Sequence, residues 1–151
     1  MPTSTFPAVK AYVVGQMQAL EATTLAGVTV TYSDPGTGLF KQHLFFGGTG
    51  QDGQSWTALG GQVRDEAYGI KFRVHVEIPG DQTGQQATER AHVIFGVLET
   101  SIRTMPTSAY ANGLSTGVWD IAASPTAVNE SITPEGRACE IDGEITVQAR
   151  I

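Results

Sequence analysis

The segment from Ile70 to Ile78 limits the fold of this chain more than any other part of the sequence. Five apolar residues alternate there with Lys71, Arg73, His75 and Glu77. Because successive side chains of a β-strand point to opposite faces, this pattern predicts a strand with one buried face and one polar face. We therefore expect a sheet that is covered on one side and meets water or a partner on the other.

Two segments are predicted to be amphipathic helices that cover the apolar face. The first spans residues 6–25, with Ser4 or Thr5 as its N-cap and Pro7 in its first turn. The second lies between the Pro79-Gly80-Asp81 turn and Pro106. The apolar face of the second helix consists of Ala87, Ala91, Ile94, Phe95, Leu98, Ile102 and Met105. The segment from Thr83 to Gln86 fits a capping box at its start.

The remaining periodic segments are predicted to be β-strands. Short strands are expected over Val28–Tyr32 and Gln42–Phe46. After the second helix, a long strand over Val118–Ile132, interrupted near Pro125, should form an antiparallel hairpin with a strand over Arg137–Ile151. The predicted order of elements is α-β-β-β-α-β-β.

This order predicts a single α+β domain over residues 1–151, in which two amphipathic helices pack on one face of an antiparallel or mixed sheet. The glycine-rich stretch over residues 47–61 has no clear period and is predicted to be a long loop. Its apolar residues Trp56, Leu59 and Val63 are expected either to contact a partner or to fold back over the core.

Charge and composition exclude several classes of protein. A net charge of −6 without any basic run argues against a protein that grips nucleic-acid phosphates. The single cysteine, Cys139, excludes an internal disulfide and multi-cysteine metal sites, and is predicted to be a small buried residue. No signal peptide and no apolar run of membrane-spanning length is visible, so synthesis in a cytoplasm is expected.

The candidate catalytic and cofactor motifs fail on physical grounds. Residues 48–53 match a dinucleotide-binding glycine pattern, but Gly60-Gly61 leaves no room for the helix that must bind phosphate. Gln54 stands where a phosphate-binding loop requires lysine. His43, His75 and His92 lie on separate elements and are predicted to be surface histidines. We therefore expect no catalytic residue, cofactor or metal, and a protein that is not an enzyme.

Three segments resemble the tail-terminator proteins of long-tailed bacteriophages and gene transfer agents. They are the first helix and strand, "PAVKAYVVGQMQALEATTLAGVTVTY", the second helix, "GDQTGQQATERAHVIFGVLETSIRTMP", and the final strand, "ITVQARI". A short loop that carries Leu114 precedes the closing hairpin, as in that family. The stretch over residues 47–61 has no counterpart in the pattern.

The resemblance implies a structural virion protein in the tail or neck, assembled in the host cytoplasm. Such a chain forms a homo-hexameric ring that caps the major tail tube protein and joins it to the head-side connector or stopper. DNA passes through the lumen without specific binding, and no membrane is involved. The predicted contacts with partners are Trp56, Leu59, Val63, Arg64, Lys71, Arg73, His75, Glu77, Tyr110 and Leu114.

Two other interpretations remain open at this point. One is a head-completion or connector protein of the same particle, which can share a small α+β architecture. The other is a small ligand-binding or enzymatic α+β domain that uses residues 47–61 as a lid. The oligomeric state separates these hypotheses, since a ring-forming subunit gives a hexamer in solution or on purified tail tubes.

Overall fold

Two helices and five strands make up the part of the chain that the computed structural model describes, which is residues 5–36, 41–56, 64–104 and 118–150. The elements are α1 (Phe6–Gln18), β1 (Thr29–Thr31), β2 (Gln42–Trp56), β3 (Arg64–Pro79), α2 (Gln85–Arg103), β4 (Val118–Ile132) and β5 (Gly136–Arg150). The predicted α+β class and the predicted order of elements are confirmed.

All five strands belong to one mixed sheet with the order β1-β2-β3-β5-β4. β1 pairs in parallel with β2, and every other neighbouring pair is antiparallel. β4 and β5 form the predicted hairpin, and the pairing shifts register between Pro125 and Ala127. This shift confirms the predicted interruption, because a proline cannot donate to the hydrogen-bond ladder.

The hairpin of β2 and β3 is longer than the sequence pattern predicts. The prediction of a loop over residues 47–61 is wrong for residues 47–56, because β2 continues to Trp56. β3 begins at Arg64. Two register shifts, one on each side of Thr49, accommodate the glycine-rich sequence within the ladder. Residues 57–63 lie outside the described part of the chain.

Both helices cover the same face of the sheet. Phe6 of α1 contacts Tyr68 of β3 edge to face, with ring centroids 5.5 Å apart. Phe95 of α2 stacks on Phe72 of β3 at 5.9 Å. The large fully buried side chains between the layers include Val9, Met17, Leu25, Leu44, Phe46, Ile70, Ile94, Leu98, Ile102, Ile141 and Ile145. This packing confirms the predicted two-layer arrangement.

Helix α1 is shorter than predicted and is capped from the sheet. It ends at Gln18, and the chain turns through residues 19–27 instead of continuing as helix to Leu25. Thr5 occupies the predicted N-cap position, but its side chain makes no cap hydrogen bond within the helix. Instead, the Thr5 backbone N–H donates to the carboxyl group of Glu66 at 3.0 Å, and its hydroxyl contacts Tyr68 Oη at 2.8 Å.

Helix α2 is capped by Asp81, which the sequence pattern did not indicate. The carboxylate of Asp81 accepts the backbone N–H groups of Thr83 at 3.2 Å and of Gly84 and Ala87, each at 3.0 Å. The predicted capping box from Thr83 is therefore wrong, since Gly84 is the N-cap residue. Burial raises the pKa of Asp81, but these three hydrogen bonds outweigh it, so the pKa lies below its ordinary value.

Replacing Asp81 by asparagine is expected to lower the melting temperature at neutral pH by roughly 2–4 °C. Because the pKa of Asp81 is lower in the folded state, its stabilisation is present above the unfolded-state pKa and disappears as the pH falls. The difference between wild type and Asp81→Asn should therefore shrink below about pH 4 in thermal unfolding followed by circular dichroism. A difference that stays constant down to pH 2.5 contradicts this role, and Thr83→Ser, which keeps the hydroxyl that accepts the Gln85 backbone N–H, is the control with little effect.

Candidate interaction surface

The face of the sheet opposite the two helices carries a set of polar side chains, and we call it the open face. Alternate residues of β3 point to it, because Ile70, Phe72, Val74 and Val76 point into the helix-covered core. Its members in the centre of the sheet are His43 and Phe45 of β2, Lys71, Arg73, His75 and Glu77 of β3, and Glu140, Asp142 and Glu144 of β5. The predicted polar face is thus brought together by the fold.

Arg73 is the centre of an ion-pair network across β3 and β5. Its Nε donates to Asp142 Oδ1 at 2.5 Å and its Nη2 donates to Asp142 Oδ2 at 3.1 Å. Its Nη1 lies 3.5 Å from Glu140 Oε2, and the other oxygen of Glu140 lies 2.9 Å from His75 Nδ1. The hydrogen bond to Asp142 raises the pKa of Arg73. These contacts hold four side chains in fixed positions on the open face.

Two of the three histidines are buried, although the sequence predicted surface positions for all of them. His43 is fully buried and lies opposite His75, which is 8% exposed. The ring of His43 contacts Thr31 Oγ1 at 2.8 Å and Phe45 edge to face at 5.4 Å. Burial, followed by the neighbouring His75, lowers the pKa of His43. His92 on α2 is exposed, as predicted.

A shallow groove of about 450 Å³ crosses the open face. The residues that line it include Asp34, Phe45, Lys71, Arg73, Asp142 and Glu144. Asp34 follows β1 and borders the groove, and Thr31 of β1 contacts the buried His43 of the open face. The positive groups of β3 face the negative groups of β5 across the groove, which therefore carries mixed charge.

Lys41 joins the end of the open face to the β4–β5 turn. Its Nζ lies 3.4 Å from Glu77 Oε1 and 2.6 Å from Glu135 Oε2. The hydrogen bond with Glu135 raises the pKa of Lys41, and the same contact lowers the pKa of Glu135. Both partners are largely exposed, so solvent screens the pairs and they contribute little to stability.

The structure brings together part of the predicted contact set. Lys71, Arg73, His75 and Glu77 share the open face. Trp56 and Arg64 are paired in register where β2 ends and β3 begins, at the far end of that hairpin. The predicted contacts Leu59, Val63, Tyr110 and Leu114 lie outside the described residues, as does the short loop that carries Leu114.

The acidic residues of β5 that pair with the charged residues of β3 were not among the predicted contacts. Glu140, Asp142 and Glu144 alternate with Ile141 and Ile145, which is the signal that places them on one face. The register of β5 against β3 then pairs Glu144 with Lys71, Asp142 with Arg73 and Glu140 with His75. Cys139 is buried, as predicted, and burial raises the pKa of its thiol.

Within the described ranges, no group of three or more histidine, cysteine, aspartate or glutamate side chains has the geometry to hold a metal ion. Neither α1 nor α2 is long and apolar enough to cross a membrane.

The elements and their order define a two-layer α+β domain with two helices on one face of a five-stranded mixed sheet. A chain in a solved structure of the virion of a native gene transfer agent particle has a similar fold, with a TM-score of 0.61. The similarity covers 99% of this chain and 100% of that chain, at 13% sequence identity. No family model matches the sequence, and a comparison with curated proteins finds no match.

Proposed function

We propose that this protein is a structural subunit of a phage-like particle, and that it acts there as a tail terminator. The observation that carries the proposal is the fold shared with a chain of a gene transfer agent virion over 99% of this chain and 100% of the other. Small α+β folds serve many functions, so fold alone does not assign one. A similarity over nearly the whole of both chains extends beyond one common motif, and it agrees with the tail-terminator resemblance in the sequence.

The proposed role is a homo-hexameric ring that caps the tail tube and joins it to the head-side connector or stopper. The open face supports a role in lasting contacts, because Arg73, Asp142, Glu140 and His75 hold one another in place before any partner binds. Side chains that are already ordered lose little entropy on association. The net charge of −6 suits a lumen through which DNA slides without being held.

A head-completion or connector protein of the same particle is the second candidate. The same similarity to a virion chain favours it, because the fold does not distinguish positions within a particle. The two candidates differ in the partner they bind: a terminator binds the end of the tail tube, whereas a head-completion protein binds the head-side connector.

The first experiment measures assembly and partner choice with the full chain. Light scattering and electron microscopy should detect a ring, either in solution or on purified tail tubes, and added protein should stop further tube polymerisation. Binding to purified connectors with no effect on tubes selects the head-completion candidate. A chain that binds neither tubes nor connectors overturns the proposal.

A charge reversal on the open face tests which surface makes the contact. Lys71→Glu is expected to weaken the capping of tail tubes by at least about tenfold, because it places a third acid beside Glu144 and Asp142. Arg103→Glu makes the same charge change on the exposed surface of α2 and should cap normally. Equal capping by both variants contradicts a role for the open face, with folding of each checked by circular dichroism.

A further inference from the structure

Both edges of the sheet present long stretches of backbone that no described strand covers. β4 is the outermost strand on one side and spans Val118–Ile132. On the other side, β1 pairs only with residues 43–45 of β2. The remainder of β2, residues 46–56, therefore forms a second edge. Edges of this kind are templates for pairing with another strand.

The β4 edge carries few of the features that protect an edge strand from pairing. It contains no lysine or arginine between Val118 and Ile132. Val128 is 46% exposed and Ile132 is 78% exposed, and these are two of the four large apolar residues that are exposed in the described ranges. Register shifts between Val118 and Asp120 and between Pro125 and Ala127 interrupt the strand at two points and leave residues 127–132 as a regular segment.

The directions of the strands make the two edges complementary. β2 is antiparallel to β3, β3 is antiparallel to β5, and β5 is antiparallel to β4. β4 therefore runs opposite to β2. In a ring whose axis lies along the strands, every copy keeps the same strand direction. The β4 edge of one copy then meets the β2 edge of the next in the antiparallel sense, and residues 52–56 of β2, beyond its two register shifts, allow a regular hydrogen-bond ladder.

We propose that a second copy of this chain pairs its β2 edge with the β4 edge, so that the sheet continues from subunit to subunit around the ring. This inference rests on the proposed ring and adds the interface that closes it. The contact joins two different surfaces, which is the type of interface that generates a closed ring, and closure leaves neither edge free. Pairing of two β4 edges with each other would stop at a dimer.

The closing experiment places charge on the β4 edge and compares it with the same charge elsewhere. The double variant Val128→Lys, Ile132→Lys should assemble with a dissociation constant at least about tenfold higher than that of the wild type. Light scattering over a concentration series measures both constants. The control is Val93→Lys combined with Thr100→Lys, two exposed positions on α2, and it should assemble as wild type does. Circular dichroism and melting temperature check that all three proteins are folded.

Cross-linking identifies which edges meet. A double variant with Asn129→Cys on β4 and Gln54→Cys on β2 should give covalent oligomers up to the closed ring with a short thiol-reactive cross-linker. Cys139 is fully buried and stays in place. Each single variant should stay uncross-linked. Cross-linked dimers from Asn129→Cys alone overturn the proposal in favour of paired β4 edges.

The outcomes separate this inference from the proposed function. If the β4 double-lysine variant assembles as the wild type does, the sheet does not continue through β4, and the inference is overturned while the ring stands. A wild-type chain that stays monomeric at millimolar concentration and on tail tubes overturns the inference as well. A ring that depends on β4 but caps no tail tube supports the inference and counts against the terminator.

Discussion

Replacing Glu66 by alanine is expected to lower the free energy of unfolding by about 2–4 kcal/mol, because the substitution removes a buried acceptor. The side chain is 2% exposed, and its carboxyl group accepts the backbone N–H of Thr5 at 3.0 Å and the hydroxyl of Thr5 at 3.1 Å. Its loss leaves the first turn of α1 without its cap from the sheet. Urea unfolding followed by circular dichroism measures the change.

The control for this prediction is Glu66→Gln, which keeps an oxygen acceptor at the same place and should cost about 1 kcal/mol. Hydrogen exchange adds a local measurement, since the amide of Val9 donates to the carbonyl of Thr5 in the first turn of α1. That amide should exchange faster in Glu66→Ala than in Glu66→Gln. Equal losses of stability in both variants contradict the capping role.

Gly143→Ala is expected to destabilise the fold by about 2–3 kcal/mol, because the centre of the sheet has no room for a methyl group. Gly143 of β5 lies between Phe72 of β3 and Pro125 of β4. A Cβ at this position would overlap the ring of Phe72 and lie 2.6 Å from the carbonyl oxygen of Ser124. Since one of these atoms belongs to the backbone, a side-chain rotation cannot relieve the whole clash.

The same substitution at Gly96 should change the stability in the opposite direction. Gly96 lies within α2, and a Cβ there would meet nothing within 4 Å. Because alanine restricts the unfolded chain and favours the helix, Gly96→Ala should stabilise by about 0.5–1 kcal/mol. Thermal unfolding of the two variants side by side makes the comparison. A loss of stability at Gly96, or none at Gly143, contradicts the packing described for these positions.

The parts of the fold with clear side-chain periodicity were predictable from sequence. The strict alternation through Ile70–Ile78 predicted both faces of β3, and the apolar face that begins at Ala87 predicted α2. The proline at position 125 predicted the interruption of β4. In each case the side chains themselves carry the period, so the local sequence contains enough information.

The errors lie where the structure depends on contacts distant in sequence. The glycines after Phe46 have no side chains to show alternation, and pairing with β3 is what keeps β2 extended to Trp56. The sequence motif favoured Thr83 as the cap of α2, yet the buried Asp81 reaches three N–H groups from outside the helix. The burial of His43 depends on its neighbours across the sheet, which no local pattern reveals.

The candidate surface was predicted in part for the same reason. Alternation placed Lys71, Arg73, His75 and Glu77 on one face, and the structure agrees. The pairing of Arg73 with Asp142 requires the register of two strands that are separated by α2 and β4. A sequence gives the face of each strand, whereas the alignment between strands comes from the packed core.

The pairing of β3 with β5 has a mechanical consequence. The two strands are paired without a register shift from Asp65–Arg150 to Pro79–Gly136, a ladder roughly 45 Å long. A force along the strands loads all of these hydrogen bonds in parallel, whereas a force across them opens the ladder one pair at a time. The sheet therefore resists a force along the strands better than a force across them, so this protein withstands the largest load when the load is parallel to β3 and β5.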